Sequence, residues 1–138
     1  MRIFLDANIL VSVLNKEYPL FTYSARIVSL ADNQKFTVYT SPICLAIAFY
    51  FAEKKSGTQL AKRKIEILSG KLSITTVGKN EVLQSIQNKK VNDFEDGMEY
   101  YAAENSKCDA IITEDINDFY FSSIPVFNSK TFVEKHLF

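Results

Sequence analysis

Along this chain, short apolar runs of three or four residues alternate with longer stretches whose apolar residues recur every three or four positions, a pattern that predicts parallel strands joined by crossover helices. Ile3-Phe4-Leu5 reads as the first strand, apolar throughout as a strand covered on both faces should be, and it stops at Asp6. A helical stretch follows, with Phe21, Ala25, Val28 and Ala31 spaced for one buried face and Asn33 as its stop. Residues 36–39 read as strand two. Ser41-Pro42 supplies a capping hydroxyl and a proline for the first helical position, and Gly57 supplies the stop. Residues 58–69 form a further helix ended by Gly70. Residues 72–74 read as strand three, and 79–87 as another helix. Asn92 with Glu95 resembles a capping box, so a helix should run from Asp93 to Asn105. Residues 110–113 give strand four and residues 125–127 an edge-like fifth, because proline lacks the amide donor. Ser129 opens a last helix carrying Phe132 and Leu137. The expectation is an α/β domain built on a five-stranded parallel sheet.

With 138 residues, 47% of them hydrophobic, the chain holds apolar material for one core, and residues 1–138 read as a single domain. Cys44 and Cys108 are too few for a disulfide framework; they read as reduced, buried thiols of a cytoplasmic protein, not as a metal site. The longest apolar run, residues 43–52, is far short of the roughly 18 residues of a membrane span. Asp6, after only three apolar residues, interrupts any signal-peptide core.

Sixteen basic and sixteen acidic residues balance to zero, which excludes a polycation that coats nucleic acid indiscriminately. The balance is a sum of opposite blocks. Residues 54–90 carry a net +7 and residues 91–118 a net −8.

The acids fall where chemistry would need them. In open parallel sheets, ligands bind beyond the carboxyl ends of the strands. Asp6 closes strand one, Asp115 follows strand four by two residues, and Asp118 lies one short turn further. Asp93 and Asp96 are three apart at the start of the helix that leads into strand four and so share a face. Carboxylates converging without histidine make a hard-oxygen site of the sort that holds Mg²⁺ or Mn²⁺ with a substrate phosphate.

Each residue also has a plainer reading. Asp93 suits a helix N-terminus through the macrodipole, and Asp115 and Asp118 suit turns. Asp96 sits beside Gly97, a mid-helix glycine of the kind kept for close packing. Asn8 reads as a cap for the following helix, as a group that orients Asp6, or as both, and Thr113 is either a strand residue or a hydroxyl facing the site. Lys62-Arg63-Lys64 reads as a solvated helix face or as a phosphate-backbone contact. His136 reads as a surface residue, and Phe49-Tyr50-Phe51 as core or dimer surface.

Asp6-Ala7-Asn8 after a buried strand, Asp93-Phe94-Glu95-Asp96 opening a helix, and Ala110 through Asp115 followed by Asp118-Phe119 and Ile124-Pro125-Val126 together resemble the PIN domain along the whole chain. The likeness is to the small bacterial single-domain members, many of them VapC-type toxins of toxin–antitoxin pairs. It implies a three-layer α/β/α fold with sheet order 3-2-1-4-5 and a Mg²⁺- or Mn²⁺-dependent endoribonuclease. It also implies a homodimer and a cognate antitoxin. Asp6, Asp96 and Asp115 match the family's metal-holding acids, with Asp93 and Asp118 as accessories.

One departure stands out. The family usually adds an acid in the helix after strand two, which would fall near Ile47, and no carboxylate is there. Glu53 lies about 9 Å further along that helix. The departure implies one weakly held ion, or a weakened domain that works by binding RNA or protein. A phosphatase of the haloacid-dehalogenase type would want a second Asp where Asn8 stands, and a response-regulator receiver would want an acid pair that is absent.

Overall fold

The computed structural model describes residues 1–137. Five strands, β1 (Arg2–Leu5), β2 (Thr37–Thr40), β3 (Ser73–Ile74), β4 (Ala110–Ile112) and β5 (Val126–Phe127), form an all-parallel sheet ordered β3-β2-β1-β4-β5. Seven α-helices among the described residues flank it: α1 (Ala7–Leu14), α2 (Leu20–Ser29), α3 (Pro42–Ser56), α4 (Thr58–Lys71), α5 (Lys79–Gln87), α6 (Phe94–Asn105) and α7 (Ser129–His136). Two 3₁₀ turns, Leu30–Asp32 and Ile116–Phe119, complete the chain. Ile3, Phe4 and Leu5 of β1 and Ala110, Ile111 and Ile112 of β4 are wholly buried, as strands are when helices cover both faces of a sheet. The three-layer architecture and strand order expected from the sequence are those observed.

The elements form for legible reasons. Ser41 Oγ accepts from Cys44 N at 3.1 Å, Pro42 takes the first helical position, and Gly57, at φ +85°, ends α3 in a conformation other residues rarely adopt. Glu81 reaches back to Gly78 N at 2.7 Å to start α5.

Four readings of the sequence need correction. The stretch after β1 is two helices, and the buried face of α2 is Ser24, Ile27 and Val28, with Phe21, Ala25 and Ala31 only half-buried. A serine can occupy that face because Ser24 Oγ is bonded both to Ser12 Oγ at 2.7 Å and to Leu20 O at 3.0 Å. Gly70 does not end α4, which continues to Lys71 with open space around the glycine. Asp93, not Asn92, caps α6, its Oδ1 accepting from Asp96 N at 3.0 Å. α7 does begin at Ser129, capped by Asn128, which accepts from Thr131 N at 2.8 Å, but it ends at His136, so Leu137 is its C-cap and not part of it. No helix among the described residues is long and apolar enough to cross a membrane.

Gly97 sets how closely α6 lies on α5. A methyl group there would sit 2.7 Å from Val91 Cγ1 and 2.9 Å from Ser85 Cβ, inside contact distance. Alanine would gain about 1 kcal/mol of helix propensity and would meet an overpacking penalty of about 1–3 kcal/mol. Gly97→Ala should therefore lower the urea midpoint, whereas a stabilised protein would show that α6 has room to move.

Candidate metal centre

The chain leaves β1 toward β2 and β3, then returns to place β4 and β5 on the opposite side, so the strand order reverses between β1 and β4. Leu5 pairs with Ile112, and Asp6 N donates to Ile112 O at 3.0 Å, which sets the first residues beyond the two strands side by side. Asp6 Oδ1 caps α1 through Ala7 N at 2.7 Å. Its Oδ2 accepts from Thr113 Oγ1 at 2.8 Å.

Thr113 is wholly buried, and its hydroxyl does face the site. The same oxygen accepts from Asp115 N at 3.0 Å and from Asn8 Nδ2 at 3.2 Å. Asp6, not Asn8, caps α1, and the side chain of Asn8 is bonded to residues 113–115. Its Nδ2 also reaches Asp115 Oδ2 at 3.2 Å, and its Oδ1 accepts from Glu114 N at 3.1 Å, so it pins the loop after β4. Glu114 turns aside to hold Ser129 N at 3.2 Å and the Ser129 hydroxyl at the start of α7.

These side chains open on a cleft of about 520 Å³. Asp6, Asp93, Asp96, Asp115 and Asp118, all singled out from the sequence, line it together, as do Glu17, Glu95, Glu99 and Glu114. No lysine or arginine is among the lining residues. Burial raises the Asp96 carboxyl to about 7, helped by the charges of Asp93, Asp118, Asp6 and Glu95. Burial and like charge also raise Glu95 and Asp118. Oxygen donors this concentrated, with no basic side chain lining the cleft, fit a hard divalent cation.

Glu99 is the residue that sequence reasoning missed. It lies on α6 one turn beyond Asp96, is 1% exposed, and has an Oε2 without a hydrogen-bond partner among the described residues. Burial, then the Asp6 charge, raises its carboxyl to about 10. The spacing 93, 96, 99 could have pointed to it. From α3 the cleft receives only Ile47 and Phe51, so the position where an acid was expected is apolar; Glu53 is occupied by the Thr58 hydroxyl at 2.8 Å.

Lys62, Arg63 and Lys64 on α4 do not line the cleft; Lys62 and Arg63 are exposed, and Lys64 Nζ donates to Leu14 O at 2.9 Å. Lys89 and Lys90 lie in the loop before α6, which is tied to Tyr120, whose hydroxyl donates to Lys90 O at 2.5 Å. His136 is exposed and packs on Phe132 at 4.7 Å.

Comparison with known proteins places this geometry. A family profile for the PIN domain matches residues 2–117. Ribonuclease VapC1 of Aquifex aeolicus (strain VF5) is 26% identical over 141 residues, spanning 97% of this chain and 94% of that protein. VapBC2 from Rickettsia felis, bound to a DNA fragment from their promoter, is 22% identical with a TM-score of 0.68, covering 93% of this chain and 98% of that one. VapC20 of Mycobacterium tuberculosis, a Sarcin-Ricin loop cleaving toxin, is 16% identical with a TM-score of 0.62, covering 79% and 86%.

The raised Glu99 carboxyl makes stability depend on pH in the metal-free protein. The folded state keeps a proton that the unfolded chain releases above about 4.5, so stability falls as pH rises from there toward 10. One such group contributes a slope of at most about 1.4 kcal/mol per pH unit. In chelator, Glu99→Gln should melt higher than wild type at pH 8 and show a shallower decline between pH 5 and pH 8. Identical slopes would mean that Glu99 ionises freely in the fold.

Proposed function

The chain belongs to the PIN domain family, and from that premise we propose that it is a divalent-cation-dependent endoribonuclease of the VapC type, acting in the cytoplasm. The observation that carries the reading is the meeting of Asp6, Asp96 and Asp115 in one cleft at the reversal point of the sheet. These three would hold Mg²⁺ or Mn²⁺, with Asp93 and Asp118 as accessory ligands. When bound, the ion acidifies the attacking water and neutralises charge on the phosphodiester.

The protein's own groups do the rest. Thr113 and Asn8 fix the carboxylates of Asp6 and Asp115 relative to one another before any ion arrives, which is the positioning that supporting residues give metal ligands. Gly97 seats α6, and with it Asp96, against α5. Hydrolysis then proceeds by water attack on phosphorus without a covalent enzyme intermediate. Lys62 and Arg63, exposed on α4, offer backbone-phosphate contacts away from the cut, whereas Lys64 has a structural partner.

A cognate antitoxin and a second copy of the chain are the proposed protein partners. VapBC2 from Rickettsia felis supports the first. Exposed apolar side chains on α3 and α4, Tyr50, Leu60 and Ile67, support a contact with protein. The second reading, a domain that binds RNA or protein without cutting, is favoured by Ile47 in the cleft where the family usually has an acid.

Single-stranded RNA incubated with Mg²⁺ or Mn²⁺ separates these readings. Asp6→Asn and Asp96→Asn should each slow cleavage by about 100-fold or more, and Thr113→Val by about 10–100-fold. Equal residual activity in wild type and all three variants would place the activity elsewhere. RNA binding with no cleavage by wild type would move the protein to the binding-module reading.

A further inference from the structure

The chain's missing acid on α3 has a spatial counterpart below the cleft. One ligand atom from each of Asp6, Cys44 and Glu99 lies within 4.8 Å of the other two, and all three residues are buried. Cys44 Sγ is 3.9 Å from Asp6 Oδ1. Glu99 contributes an unpartnered oxygen in a side chain that lines the cleft, and leaving such an oxygen unsatisfied is costly. Thiolate and carboxylate ligands stand about 2.3 Å and 2.0–2.2 Å from a four-coordinate zinc-like ion, which asks for ligand separations of roughly 3.5 Å. The three side chains, within 4.8 Å of one another, would draw together around an ion to reach that.

We propose that Glu99 and Cys44 join Asp6 in an inner divalent-cation position beneath the cleft, one that takes a borderline ion such as Zn²⁺ or Co²⁺ in preference to Mg²⁺. The inference rests on the reading of the cleft as a cation centre, with Asp6 shared between the two positions. α3 still contributes a ligand, three residues before Ile47, and α6 contributes one a turn below Asp96. A thiolate selects against Mg²⁺ because it is soft, and the ion displaces both the thiol proton of Cys44 and the carboxyl proton of Glu99 to solvent on binding.

Cobalt titration into the reduced, metal-free protein tests this. One equivalent should produce a thiolate-to-cobalt charge-transfer band. Cys44→Ser should abolish the band, and Cys108→Ser, which changes the thiol before the opposite end of β4, should keep it. Glu99→Gln should weaken cobalt binding by about tenfold or more. Absence of the band in folded wild type, or a band that survives Cys44→Ser, overturns the proposal, and the wild-type spectrum decides even if Cys44→Ser fails to fold. RNA cleavage in Mg²⁺, assayed in parallel, keeps the two readings apart. A band without cleavage upholds the inner position and removes the ribonuclease, and cleavage without a band does the reverse.

Discussion

The hydroxyl of Thr113 is the junction on which the carboxyl edge of this sheet depends. It donates to Asp6 and accepts from the Asp115 amide and from Asn8, so one buried oxygen ties the end of β1, the start of α1 and the loop after β4. Strand pairing brings the chain ends near each other, but pairing alone leaves side-chain direction free beyond the last ladder bond. The threonine removes that freedom. Because its bonds to Asp6 and Asn8 involve residues more than a hundred positions away, the site exists only once the central pair β1 and β4 has formed.

What the junction holds together is electrostatically unfavourable. Nine carboxylates border the cleft without a basic side chain among them, and four of these groups, Glu95, Asp96, Glu99 and Asp118, are pushed upward first by burial and then by neighbouring acids, Asp6 among them. Such an arrangement survives where the surrounding fold over-determines it. Here the over-determination is visible in the cap at Asp93, the glycine that seats α6 on α5, and the Asn8 clamp on the β4 loop. A divalent ion held in the cleft, as proposed, would relieve the same repulsion that these contacts withstand.

The central strands β1 and β4 were legible because strands buried on both faces read as unbroken apolar runs, whereas the order of the sheet was expected from the likeness to the PIN domain. Asp6, Asp96 and Asp115 were legible because each lies at or beside the boundary of an element. Glu99 was not, since it sits mid-helix, where a glutamate usually means a solvated face; only the packing of α6 over Asp6 and Cys44 makes it buried. The two-helix excursion after β1 was hidden for a related reason. Serines at positions 12 and 24 satisfy each other inside the core, so the buried face lacks the hydrophobic spacing that would have announced it. Asn8 was legible as important but not in its role, because its partners come from residues 113–115.

The balance of charge over the whole chain also acquires a physical meaning through α1. This helix begins at Asp6, in the acidic cleft, and ends where Lys64 donates to Leu14 O and Lys55 to Asn15 O. An acid at the N-cap and lysines reaching in from α3 and α4 at the last carbonyls complement the helix dipole at both ends. Part of the basic block is therefore committed to holding the strut that begins at the Asp6 carboxylate of the cleft, leaving Lys62 and Arg63 to face solvent. Opposite blocks of charge, which cancel in the sum, are thus coupled in space, and the acidic cleft keeps its excess because the lysines that offset it lie one helix length away.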